Sequence, residues 1–199
     1  MAISPLKPGL ETDATKLANA SRKWLLGRLT YLQKNQTVAG AFNVEGYTNT
    51  KYFSIGEVFM YHYDPKLKMI LPYYDTFPLC IPINMYGDGF LGLNLHYLPP
   101  KMRITFLNKL IEFANTGPGD SRIRMNISYG ILKDAQHLNE YIPCVKRYLA
   151  THIRGRILRI HPHEWPHVVT MPFEAFQKAS NSKVWSDSRR KINGTRVSK

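Results

Sequence analysis

Apolar residues change their spacing repeatedly along this chain, and each change predicts a switch between helix and strand. Leu17, Ala20, Trp24, Leu25, Tyr31 and Leu32 recur at helical intervals behind a possible cap at Thr12 or Asp13, which predicts an amphipathic helix to about Lys34. Before it, Pro5, Pro8 and Gly9 mark residues 1–11 as an extended arm. Between 38 and 98 the texture becomes aromatic and β-branched, broken at short intervals by Gly and Pro. Strands are predicted near 47–54, 56–63, 77–83 and 89–97, with turns at Asp64-Pro65-Lys66 and Gly87-Asp88-Gly89. From Lys101 to Ala114, Met102, Phe106, Leu107, Leu110, Ile111 and Phe113 return to helical spacing behind Pro99-Pro100.

Helical spacing also links Ile123, Ile127 and Ile131, and again Val145, Leu149 and Ile153 behind Pro143, so two further helices are expected there. Arg156-Ile157-Leu158-Arg159-Ile160 reads as a strand with one buried face, and Pro172 as the opening of a short helix through Phe173 and Phe176. The fold class is α+β: a small SH3-like β-barrel or curled antiparallel sheet flanked by several short helices. The organisation expected is an arm at 1–11, one domain at 12–182 with its β-rich core at 38–98 and a helical part at 99–182, and a basic docking segment at 183–199.

Composition supports a folded chain. Its 199 residues are 44% hydrophobic, with twelve Tyr, nine Phe and three Trp, enough apolar area for a sizeable core. Charge adds a partner. The formal net charge is +13, and residues 141–199 hold 12 basic against 3 acidic groups. Such a basic pole is matched by nucleic acid, an acidic protein surface or anionic lipid. The absence of a long apolar run argues against a membrane, and the N-terminal residues show no secretory pattern, so a cytoplasmic site of synthesis is expected. Cys80 and Cys144 sit in apolar contexts and read as buried thiols.

Candidate chemistry is thin. His163-Glu164-Trp165-Pro166-His167 fits the spacing of a zinc-protease helix, but Pro166 interrupts the turn that would align the two imidazoles. The reading favoured is a turn and helix start with Glu164 near the N-terminus and Trp165 packed inward. No metal or other cofactor is therefore assigned, His161 as a third ligand notwithstanding. Gly87 to Gly92 lacks the Lys-Ser/Thr of a phosphate loop and reads as a hairpin, and Asp64 and Asp75 do not make a defined acidic dyad. The candidate binding residues are cations: Lys16, Arg22, Lys23 and Arg28 on the first helix; Arg154, Arg156 and Arg159 on the late strand; and Arg189, Arg190 and Lys191 behind Trp185. Tyr61, Tyr63, Tyr73, Tyr74, Tyr86 and Tyr97 fall near Lys51, Lys66 and Lys68, which is either a stacking platform for single-stranded nucleic acid or a barrel core.

Tyr63-Asp64-Pro65-Lys66, the stretch from Leu71 to Leu79, the string Asp88-Gly89-Phe90-Leu91-Gly92-Leu93-Asn94-Leu95-His96-Tyr97-Leu98-Pro99 and the closing Val184 to Ile192 together resemble a family of virion or DNA-handling proteins of T-even-type myoviruses. The resemblance implies a non-enzymatic structural or assembly protein of a tailed bacteriophage, in the tail, baseplate or head-tail region, or one that protects packaged DNA ends. It implies other virion proteins, and DNA, as partners in a symmetric multi-subunit particle assembled in the host cytoplasm. A free DNA- or RNA-binding protein of the infected cell is the alternative, and a metal-dependent hydrolase the third.

Overall fold

The computed structural model describes residues 53–116, 141–160 and 164–196, together with Lys23 and Gly27. The arm, nearly all of the first helix, the strand expected from residue 47 and the helix expected near Ile127 lie outside the described residues; Lys23 and Gly27 are helical.

Four segments that alternate or run continuously apolar form the sheet with a fifth. Strands β1 (Val58–Tyr63), β3 (Leu79–Tyr86), β4 (Gly89–Asn94), β5 (Val145–Leu149) and β6 (Ile153–Ile160) lie in the order β5-β4-β3-β1-β6, every neighbour antiparallel. The short pair β2 (Tyr74–Asp75) and β7 (Phe176–Gln177) stands apart. Helix α1 spans Pro100–Thr116, a single turn α2 spans Trp165–Val168, and α3 spans Asn181–Arg196. The class is α+β, with a strongly curled antiparallel half-barrel.

Curl follows from irregularities in the ladder. Register shifts between Met60 and His62 and between Pro82 and Asn84 each add local twist. Pro82, which has no N–H to donate, is tolerated inside a central strand because β1 pairs with β3 only at Cys80 and Leu79. The period-two alternation of β1 then feeds two cores. Val58 and Met60 join Leu79, Ile81 and Leu93 beneath Leu107, Val184 and Ile192, while Phe59, Tyr61 and Tyr63 join Phe53, Phe90 and Tyr148 in an aromatic cluster. Ring centroids of Phe90 and Tyr148 stack at 5.3 Å, and Tyr61 meets Tyr148 edge-on at 5.6 Å.

Several expectations are met closely. The Gly87-Asp88 turn joins β3 to β4, α1 opens on Pro100, and both cysteines are buried and free. Burial pushes the Cys144 thiol up to about 12 and raises Cys80 further, so neither is a ready nucleophile.

Others are corrected. Residues 143–153 form no helix: a 3-10 turn at Ile142–Cys144 leads into β5, and a second at Ala150–His152 into β6. The open edge of β4 accepts five paired residues from Gly89↔Leu149 to Leu93↔Val145, and this non-local ladder overrides the helical spacing. The part from 99 to 182 is therefore mixed rather than helical. Pro172 opens no helix, because the chain runs extended into β7, where Thr76 donates to the Ala175 carbonyl at 3.1 Å. The strand expected to reach Tyr97 stops at Asn94, whose side chain accepts from the His96 amide and caps a 3-10 turn at Leu95–Tyr97. Residues 53 and 54 are not in a strand. The segment from 183 continues α3, with Val184, Ser188 and Ile192 buried at i, i+4 and i+8.

Candidate nucleic-acid interface

A cleft of about 500 Å³ opens where the end of β1, the loop 64–73, β2, the Leu95–Tyr97 turn, β5 and α3 meet. Its walls are mostly apolar and aromatic, with Tyr63, Tyr73, Tyr74 and Tyr97 among them, and its cations are Lys66, Lys146, Arg147 and Lys191. Tyr73 and Tyr74 remain partly exposed while Tyr63 and Tyr97 are nearly covered. The tyrosine-rich segment is thus partly core and partly surface: Tyr61 is wholly buried and Tyr86 is 42% exposed.

Lys146 is the unusual cation. Its ammonium sits 4.1 Å from the centroid of the Tyr97 ring, and no carboxylate among the described residues pairs with it. Burial, with the like charge of Lys191 acting the same way, lowers its pKa to about 8. At a pKa of about 8 the ammonium form prevails at neutral pH, with no carboxylate counter-ion among the described residues. Arg147, by contrast, is committed to the hairpin: it pairs with Asp88, donates to the Phe90 and Tyr148 carbonyls at 3.1 and 2.7 Å, and lies over the Tyr86 ring at 4.4 Å.

The rim loop is pinned by Lys178, whose Nζ donates to the carbonyls of Lys68, Met69 and Leu71 at 2.6, 3.0 and 3.1 Å. Lys68 bonds Asp64 at 2.8 Å within it. The loop nonetheless presents Leu67, Met69 and Ile70 to solvent, at 55%, 84% and 76% exposure.

Behind the cleft lies a buried polar frame. Asp75 Oδ2 accepts from Asn94 at 3.0 Å and meets His96 Nδ1 at 2.8 Å, while Oδ1 accepts from the Phe77 and Ala175 amides at 3.0 and 3.3 Å. Burial pushes the Asp75 carboxyl up, but His96, Asn94 and the Phe77 amide outweigh this and hold it below the usual carboxylate range. Both of its oxygens are thus engaged within the frame. Arg103, fully buried, pairs with Glu174 and donates to the Leu98 carbonyl at 2.7 Å and the His96 carbonyl at 3.3 Å. Asp64 and Asp75 form no dyad, one being an exposed partner of Lys68 and the other part of this frame.

The predicted cations are scattered. Arg154 is exposed at the loop end of β6, near Asp64 and Lys68, whereas Arg159 pairs with Glu57 at the far end of the strand. Arg189, Arg190 and Lys191 are exposed on α3, with Arg190 bonded to Asp187, and of the three only Lys191 lines the cleft. Trp185 is turned to its own chain, donating to the His96 carbonyl at 2.9 Å with Arg103 5.6 Å from its ring centroid. Lys23 is exposed; Lys16, Arg22 and Arg28 lie outside the described residues, as does the side chain of Arg156. Sequence reasoning missed Lys146 and Arg147, which it had placed on a helix; the stretch Val145 to Leu149, between Pro143 and Gly155, was short enough to suggest a strand instead.

Of the H-E-x-x-H string, His161 and His163 lie outside the described residues, Glu164 is buried, and Trp165 packs inward with its Nε1 donating to the Ile160 carbonyl at 3.2 Å. Among the described residues no cluster of three or more potential metal ligands occurs, and no helix is long and apolar enough to cross a membrane.

A curled half-barrel with a tyrosine-walled, lysine-bearing cleft defines this chain as a basic α+β protein. A family model described as phage T4 terminal DNA protecting protein matches residues 14–189, and the chain belongs to that family. No curated protein and no solved structure matches it.

Proposed function

We propose that this chain is a non-enzymatic structural component of tailed-phage assembly that sits on the termini of linear viral DNA and shields them. Membership of a terminal DNA protecting family over residues 14–189 carries the reading. The charge of +13 supplies the attraction that a phosphate backbone requires, and the exposed Arg154, Arg189, Arg190 and Lys191 are the cations placed to provide it. The same surfaces suit docking to acidic faces of neighbouring virion proteins in the head-tail region, within a symmetric particle completed in the host cytoplasm.

Digestion of linear duplex DNA by a processive exonuclease, with and without the purified protein over a range of salt, tests this. Protection is expected at low salt and is lost steeply as salt rises, because each cation engaged releases a counter-ion. An unchanged digestion rate at saturating protein overturns the reading.

A further inference from the structure

We infer that the cleft between β2, β5 and the Leu95–Tyr97 turn holds the terminal nucleotide of a DNA strand, its phosphate on Lys146 and its base along the rings of Tyr73 and Tyr74. This rests on the end-binding reading and names the site that performs it.

Three observations converge. The first is the cation: a largely buried ammonium held over the Tyr97 ring, without a carboxylate partner among the described residues, is an incomplete ion pair. Burying a charge is costly unless something compensates it, and here the missing counter-charge is an anion entering the cleft. Lys191 stands at the same cleft, close enough to bear on Lys146, so two positive charges face one ligand. The adjoining carboxylate, Asp75, has both oxygens engaged by His96, Asn94 and two backbone amides.

The second is the wall. Bare phosphate has no use for an apolar, aromatic lining, whereas a base does, and stacking on tyrosine is tolerant of sequence, as a protein acting on any terminus requires. The third is size. A volume of about 500 Å³ falls in the range of pockets that enclose one small ligand, and is far too small for a duplex.

Selection of ends follows from these. An internal nucleotide enters such a cleft only after its pairing and two stacking contacts are broken, whereas a terminal one breaks its pairing and a single stack and so frays readily. The exposed Met69 and Ile70 on the rim loop offer an apolar surface to the base-pair face that only an end leaves open.

The test compares three duplexes of one sequence: open with 5′-phosphates, open with 5′-hydroxyls, and closed at both ends by hairpin loops. Parent, Lys146→Met and Tyr74→Ala are assayed in their full-length form, each checked by thermal melting, with deoxynucleoside 5′-monophosphate as competitor. The parent is expected to favour open over closed duplex, and phosphate over hydroxyl, with the monophosphate competing for open ends only. Lys146→Met should lose about tenfold on phosphorylated ends, as removal of a charge-assisted contact does, and bind closed duplex as the parent does. Tyr74→Ala should weaken both open forms alike. If a folded Lys146→Met and a folded Tyr74→Ala bind open ends as tightly as the parent, the cleft is not the end site although end binding stands. If the parent binds open and closed duplexes equally, end binding itself fails and the inference with it.

Discussion

The indole nitrogen of Trp185 donates to the main-chain carbonyl of His96 at 2.9 Å, joining residues 89 positions apart. That carbonyl also accepts from Arg103, so helix α3 is tied to the buried frame behind the cleft rather than lying loosely on the surface. Val184 and Ile192 on the same helix are buried beside the sheet.

Removal of residues 183–199 is therefore expected to unfold the protein. Each of the two aliphatic side chains contributes about 1.5–3 kcal/mol by burial, and the indole hydrogen bond about 1 kcal/mol, which together approach the whole stability of an ordinary domain. Reversing the charges of Arg189, Arg190 and Lys191 has the opposite profile. These side chains are exposed, so the melting temperature should hold while affinity for DNA falls and its salt slope flattens. Thermal melts paired with DNA titrations on both variants check this; a truncated chain that melts with the parent would show the helix to be peripheral.

Acid should act through Asp75. Its folded pKa lies below the ordinary value of 3.8, so its contribution is fully present above that value and is lost as pH falls through the folded pKa. Asp75→Asn keeps the shape but surrenders the charge that meets His96. The variant should be less stable at pH 7 and lose less stability between pH 5 and pH 2 than the parent, as followed by denaturant titration at each pH. Parallel acid curves would remove Asp75 from the account.

What the sequence made legible was local. Helix α1 could be read because its apolar spacing and Pro100 agree, and the β3–β4 hairpin because Gly87-Asp88 is a turn in any context. Most of β6 was legible too, at Arg156 to Ile160, but β5 was harder, since Val145, Leu149 and Ile153 satisfy helical spacing as well as a strand does, and only the free edge of β4 decides between them. The cleft shows the same division. Tyr63, Tyr73, Tyr97 and Lys191 could each be picked out, but their meeting with Lys146 depends on strand order, which no local pattern encodes. Arg103 and Glu174 were invisible for a related reason: charged residues are expected outside, and their burial is intelligible only once each is seen to supply the other's counter-charge.

Gly92 permits a close approach that tests the aromatic core. A Cβ placed there would lie 2.4 Å from the Cys80 sulfur and 3.2 Å from the Phe90 ring. Gly92→Ala should cost about 1–3 kcal/mol by overpacking. Shortening the neighbour with Cys80→Ala makes room, so the double variant should recover part of that loss, a coupling that a double-mutant cycle of denaturation free energies reads directly. Strict additivity would mean that the two side chains do not meet.

Lys146 yields the prediction that separates function from stability. Its pKa falls from 10.5 in the unfolded chain to about 8 in the folded one, so between those values the unfolded chain binds more protons and folding stability rises with pH. Below about pH 8 the folded protein carries the full burden of a charged amine held out of water. Lys146→Met retains the apolar stem that packs near Tyr97 and removes that burden. The variant should therefore melt higher than the parent at pH 7, and the difference should shrink as pH is raised from 8 through 10.5, above which the parent's amine is neutral whether folded or not. A saturating 5′-phosphorylated duplex supplies the missing counter-charge and should narrow the gap at pH 7 by stabilising the parent more than the variant. Melting curves across pH 6–11, with and without that duplex, give both readings. A variant that melts below the parent at pH 7 would mean that the Tyr97 contact already compensates the buried ammonium, leaving no unmet charge for DNA to satisfy.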